Sequence, residues 1–221
     1  MDRNYIIFMV SALVKCIILV VAILIAVAYL TLVERKVMAG IQRRLGPNSV
    51  GFYGLMQPFA DALKLFLKEV VIPSTSNRNL FLGAPMLTLA LAFIGWAVIP
   101  LGKGIVISDL HLGIVFLLAV SSFGVYGIVF SGWAANSKFA LMGSLRSTAQ
   151  MISYEVALSL LILPVLVCSS TLNLTLIAEM QKAVWFIVPL LPVALMFYIS
   201  MLAETNRAPF DLPEARRIWP L

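Results

Sequence analysis

Five apolar runs, each about as long as a lipid bilayer is thick, dominate the 221-residue sequence and limit what it can become. They extend from Cys16 to Val33, Leu80 to Leu101, Leu112 to Trp133, Ala149 to Cys168 and Val184 to Ala203. A hydrocarbon core of about 30 Å is crossed by roughly 20 residues of α-helix rising about 1.5 Å each. Helices suit that core because each satisfies its own backbone hydrogen bonds. Only 12% of the residues are charged, 62% are hydrophobic, and the mean hydropathy is +1.02. Soluble domains carry about 25% charged residues. The expected fold is all-α: a polytopic membrane protein with five transmembrane helices, short loops and no separate soluble domain.

The first run reaches back to Tyr5, longer than the roughly 7–15 residues of a signal-peptide core. It is followed by Glu34-Arg35-Lys36 rather than by a small-residue cleavage site, so it reads as a retained span. Lys15 then lies near the far interface, where its stem can snorkel, and Tyr5 to Val14 must tilt strongly or touch a partner. No Arg/Ser-rich, acid-poor transit segment precedes it, which points to insertion where the chain is made, in a bacterium or inside an organelle. Cys16 and Cys168 lie in separate apolar runs without CxxC or Cys/His spacing, so neither a metal site nor a disulfide is expected.

The net charge of +6 is distributed by side of the membrane. Alternating the loops places Arg35, Lys36, Arg43, Arg44, Lys64, Lys68, Arg78, Lys138, Arg146, Arg207, Arg216 and Arg217 on one side, and Arg3, Lys15, Lys103 and Lys182 on the other. By the positive-inside rule the connection from Glu34 to Asn79 faces the cytoplasm or matrix, and the N-terminus faces outward. Basic residues beside apolar runs set orientation, so no nucleic-acid partner is expected. Pro85 falls in the first turns of a helix, whereas Pro164, Pro189 and Pro192 predict kinks in the fourth and fifth helices.

The long inside connection carries Phe59, Leu63, Phe66, Leu67 and Val70 at helical spacing, with Asp61, Lys64 and Lys68 off that stripe. An amphipathic helix in the interface plane is expected, and Asp61 can pair with Lys64 at i+3. Glu155 falls about six residues into the fourth run if that helix starts near Ala149. An acid inside a span is costly and marks a proton relay or ligand; the plainer alternative is an interfacial role with Ser153 or Tyr154. Glu34 and Glu204 close the first and fifth runs on the same inside face, each beside an arginine, Arg35 and Arg207. Ordinary helix-end ion pairs are one reading of them. An entrance for protons and for an amphipathic, lipid-soluble substrate is the other.

Three segments carry more than composition: LVERKVMAGIQRRLGPNSVGFYGLMQPFADALKLFLKE (Leu32 to Glu69), GWAANSKFALMGSLRSTAQMISYEV (Gly132 to Val156) and AETNRAPFDLPEA (Ala203 to Ala215). In that order they resemble the quinone-site membrane subunit of respiratory complex I, known as subunit 1 in mitochondria and present in bacteria under another letter. The resemblance covers nearly the whole chain to Ala215. It implies the N-terminal part of an eight-helix fold at the heel of the membrane arm, where the family forms the ubiquinone entrance and part of its tunnel and couples quinone reduction to proton pumping. Carried over by motif, Thr31, Glu34, Arg35, Arg44, Asp61 and Phe210 line or gate the quinone path. Glu155, Glu204, Asp211 and Glu214 begin the proton route, with Arg207 as a neighbouring cation.

Ubiquinone is then the substrate, and flavin and iron–sulfur clusters belong to partner subunits, since this chain lacks the Cys and His sets that hold clusters. The implied partners are other membrane-arm subunits, the peripheral-arm quinone-site and terminal iron–sulfur subunits, and lipid. The implied site is the mitochondrial inner membrane, with a bacterial plasma membrane as the alternative. Residues 1–215 read as the membrane domain and 216–221 as a divergent tail, because relatives continue with further acids and three more helices. A second fragment carrying those helices is the expectation; a truncated or misread product is the alternative. Two other functions stay open: the membrane anchor of a related ion-translocating hydrogenase, and a non-catalytic membrane scaffold.

Overall fold

Two helices far longer than a bilayer crossing, residues 3–41 and 138–169, are the backbone of the architecture. The computed structural model describes residues 3–102, 105–182, 184–207 and 210. Among them are seven α-helices, one 3-10 turn and no β-strand, in agreement with an all-α fold: α1 Arg3–Ile41, α2 Gln57–Leu67, α3 Arg78–Trp96, α4 Gly113–Ala134, α5 Lys138–Ser169, α6 Leu174–Met180 and α7 Leu191–Glu204. They fall into two compact units, Met1–Val71 and Ile72–Leu221.

In the first unit α1 runs 39 residues, about 58 Å at 1.5 Å per residue, well beyond the expected end at Val33. It stops in a Schellman motif: Arg44 N–H donates to the Ala39 carbonyl at 2.9 Å, Arg43 N–H to the Gly40 carbonyl at 3.1 Å, and Arg43 takes a left-handed φ of 54°. The chain then folds back through the 3-10 turn Phe52–Gly54 into α2. Gly54 is required in that return. Its φ is +77°, and a Cβ there would strike the Pro47 carbonyl. The amphipathic helix is the expected one in position and pattern, although it ends at Leu67 and leaves Val70 outside.

In the second unit α3, α4 and α5 run antiparallel. Asn77 N–H donates to the Ala134 carbonyl at 3.0 Å, joining the start of α3 to the end of α4. Ile114 N–H donates to the Leu172 carbonyl at 3.2 Å, joining the start of α4 to the chain just after α5. Small residues bring these helices close: a Cβ on Gly127 would meet Thr88, and one on Gly132 would meet Ser144. Interfaces built from small residues let backbones approach, the usual solution where lipid removes the hydrophobic drive for helix association. α6 is a short helix that the apolar runs did not reveal. Asn173 caps it by accepting from Thr175 N–H at 2.8 Å and holds Asp109 through its own amide at 2.8 Å.

Among the described residues, four helical segments are long and apolar enough to cross a membrane: Met9–Ile41, Arg78–Trp96, Gly113–Ala134 and Lys138–Ser169. The fifth run behaves differently from expectation. Helix α7 starts only at Leu191 and spans 14 residues, about 21 Å. Before it, Val188 N–H donates to the Trp185 carbonyl and Leu190 N–H to Phe186, turns rather than a regular ladder. Pro189 and Pro192 explain the late start, since neither has an N–H to continue a helix and each fits only a first turn or a turn. The outward faces are apolar throughout the long helices, with Ile18 at 64% and Leu160 at 60% exposure, a surface that water would not tolerate.

Candidate functional site

In the first unit the site is assembled where the last turns of α1 meet α2. Thr31, Glu34 and Arg35 lie at i, i+3 and i+4 on α1; the Thr31 hydroxyl donates to the Ala28 carbonyl at 2.7 Å. The Lys36 ammonium donates to the Tyr53 carbonyl and sits 5.8 Å from the centre of the Tyr53 ring, pinning the return loop to α1. With the loop held, Arg35 Nη1 reaches Asp61 Oδ2 at 2.5 Å, and Gln57 Nε2, one turn earlier on α2, donates to Asp61 Oδ1 at 3.0 Å. Asp61 is thus paired across 26 residues with Arg35. Lys64 adds positive charge beside that pair.

The arginine hydrogen bond first, and the Gln57 bond second, hold the Asp61 carboxyl below the usual aspartate range. The pair is half exposed, 54% for Arg35 and 36% for Asp61. Beside it, Tyr29 and Phe59 meet edge to face at 6.2 Å between ring centres. A fixed carboxylate–guanidinium pair flanked by aromatic and aliphatic side chains offers a polar anchor with an apolar margin. Arg44 lies past the end of α1, where its Nε donates to Gln42 Oε1 at 2.7 Å.

In the second unit the site is built on the middle of α5. Because α5 starts at Lys138 instead of near Ala149, Glu155 stands seventeen residues into a 32-residue helix, about 26 Å along its axis. The Ser121 hydroxyl of α4 donates to Glu155 Oε1 at 2.9 Å. Glu204, at the end of α7, lies within electrostatic reach of Glu155. A pocket of about 150 Å³ opens beside Glu155, lined by Leu118, Ser122, Val156 and Ser159.

One turn before this acid, Gln150 Nε2 donates to the Ala203 carbonyl at 2.8 Å and to the Phe210 carbonyl at 3.0 Å. Tyr154 then packs its ring 5.9 Å from that of Phe210. The end of α7 repeats the Schellman ending of α1: Arg207 N–H donates to Leu202 and Asn206 N–H to Ala203, with Asn206 at φ 49°. This ending turns the chain so that Arg207 and Phe210 follow at fixed positions, and Phe210 N–H donates to the Arg207 carbonyl at 2.8 Å. Of the expected residues, Glu155, Glu204 and Phe210 are thus gathered around α5, whereas Asp211 and Glu214 lie outside the described residues. Gln150, Ser121 and Gln57 were not singled out by sequence reasoning. The only signal they gave was polarity, in or beside an apolar run.

A sequence model described as NADH dehydrogenase matches residues 14–217 of the chain, more than nine tenths of its length. This chain belongs to the NADH dehydrogenase family. All three motif segments fall within the matched range, as the resemblance implied. The chain is 59% identical over 208 residues to the NADH-ubiquinone oxidoreductase chain 1 of Chondrus crispus, covering 94% of this chain and 64% of that protein. It is 58% identical over 203 residues to the protein of the same name from Mycosarcoma maydis, covering 92% and 61%. It is 59% identical over 196 residues to an NADH-quinone oxidoreductase subunit of the bacterium Rhodospirillum centenum, covering 89% and 58%. The chain therefore spans about three fifths of the length of these NADH dehydrogenase family relatives.

Proposed function

We propose that the chain is a membrane subunit of a proton-pumping NADH:quinone oxidoreductase, forming part of the quinone entrance and tunnel and coupling quinone reduction to proton movement. The observation that carries this reading is Glu155, an acid at the middle of a long apolar helix, hydrogen-bonded to Ser121 and within the field of Glu204. An ionisable group so placed is expensive unless it functions. The names of the relatives from Chondrus crispus, Mycosarcoma maydis and Rhodospirillum centenum favour the same activity.

In this reading Thr31, Glu34, Arg35, Arg44, Asp61 and Phe210 face the quinone path. The Arg35–Asp61 pair supplies hydrogen-bonding groups to the quinone head, while Phe59 and Tyr29 contact its apolar parts. Glu155, Glu204, Arg207, Asp211 and Glu214 form the start of the proton route. Reduction of a quinone consumes two protons and changes charge beside carboxylates whose ionisation depends on neighbours. Electrons arrive from flavin and iron–sulfur clusters of other subunits. The apolar residues 184–203, with α7 as their helical part, make the fifth crossing, and the basic loops face the matrix of mitochondria, in the inner membrane, or the cytoplasm of a bacterium.

The test is NADH oxidation by the purified complex that contains this chain. Quinone-dependent turnover blocked by a quinone-site inhibitor is expected, and Arg44→Ala is expected to lower that turnover more than it lowers assembly. Intact complexes without inhibitor-sensitive activity would overturn the reading in favour of a hydrogenase-type anchor. Loss of assembly with full activity in what remains would favour a scaffold.

A further inference from the structure

Ser121 has one hydroxyl proton and two acceptors for it at the same distance. Its Oγ lies 2.9 Å from Glu155 Oε1 and 2.9 Å from the carbonyl of Leu118. A single O–H can serve only one of them at a time. An ionised Glu155 draws the proton to itself, since hydrogen bonds to a charged acceptor are about twice as strong as neutral ones. A protonated Glu155 instead donates to the Ser121 oxygen, and the Ser121 O–H turns to Leu118. The hydroxyl therefore has two positions set by the state of one carboxyl.

The pocket on the other side of Glu155 is polar in an otherwise apolar pair of helices. Ser122 and Ser159 both line it, and both commit their own protons to backbone carbonyls, Ser122 to Leu118 at 3.0 Å and Ser159 to Val156 at 2.8 Å. Each oxygen keeps lone pairs directed at whatever enters. At about 150 Å³ the space takes several waters, each of which fills about 30 Å³ in the liquid, and Glu155, Ser122 and Ser159 give such waters two to four polar partners.

We infer that Ser121 is a positioning residue for Glu155, and that the pocket lined by Ser122 and Ser159 is a hydrated site through which Glu155 exchanges its proton. This rests on the proposed role of Glu155 in proton transfer. In the forward step the Glu155 O–H bond breaks, its proton passes to a pocket water, and the Ser121 O–H swings from Leu118 to the carboxylate left behind. Re-protonation from water reverses both movements. Nothing is oxidised or reduced in the exchange.

Three measurements on the assembled complex in liposomes decide the matter: protons pumped per NADH, coupled turnover, and the carboxyl C=O stretch in infrared difference spectra. The Glu155 band is identified by its loss in Glu155→Gln. Ser121→Ala is expected to slow coupled turnover about tenfold, the size of one lost hydrogen bond to a charged group, and to shift the Glu155 band. Ser121→Thr should restore both. Ser159→Leu, which fills the pocket without touching Ser121, should slow pumping and abolish the effect of deuterated water on the band. If Ser121→Ala does not assemble, Ser121→Cys replaces it, with the same expected shift. Loss of pumping in Glu155→Gln together with normal turnover and an unshifted band in the serine variants would overturn this inference alone. Unchanged pumping in Glu155→Gln would overturn the proposed proton role itself.

Discussion

Asp61 has both carboxylate oxygens engaged inside the protein, one by Arg35 and one by Gln57, and it is this double hold that fixes its charge. A carboxyl held below its ordinary range contributes its favourable interaction at every pH above that range, and the contribution disappears only as pH falls through the lowered value. The ion pair is therefore constant across about pH 6–8, far above the ordinary aspartate value near 3.9. Replacing Asp61 by Asn should raise the quinone KM equally at both ends of that interval; a KM effect that appears only at the alkaline end would contradict the pairing. Arg35→Ala and Asp61→Ala should also be non-additive, the double variant losing little more quinone turnover than either single one. The sequence showed that these residues mattered through their motif, but it put Arg35 with its neighbour Glu34 and Asp61 with Lys64. Spacing along one helix is visible to periodicity. The distance from α1 to α2, set by the Gly54 turn and the Lys36 contact, is not.

At the scale of elements, α5 organises the second unit, packing on α4 along one side and on α7 along another. Its contact with α4 depends on Gly132, where any side chain would collide with Ser144. Gly132→Val should destabilise the pair by about 1–3 kcal/mol, as overpacking does, and lower the thermal stability of the solubilised complex; an unchanged Tm would show that the helices can separate without cost. Its contact with α7 depends on the Gln150 amide, which ties the Ala203 and Phe210 carbonyls together. Gln150→Leu keeps the volume but leaves both carbonyls without that donor. It should raise protease cleavage after α7 and reduce quinone turnover several-fold, whereas normal values would remove Gln150 as a fastener. The apolar runs revealed both ends of α4 and the start of α3 closely. They misplaced the start of α5, because Lys138 to Thr148 is too mixed to read as membrane yet helical all the same. They also overestimated the helical part of the fifth run, where two prolines outweigh hydropathy.

Across the whole molecule, few side chains are buried and most large apolar ones face outward, which suits a chain surrounded by lipid and by other membrane subunits. The family, the helical class and the amphipathic helix were all legible from three motifs and five apolar runs. Hydrogen bonds between helices, such as Ser121 to Glu155, were not, because serine in an apolar run is common and carries no mark of what it faces. These features converge on one acid. In liposomes containing the intact complex, Glu155→Gln should preserve assembly and NADH oxidation by artificial acceptors while lowering the number of protons moved per NADH oxidised with quinone. An unchanged proton-to-NADH ratio in a correctly assembled Glu155→Gln complex would contradict the role assigned to Glu155.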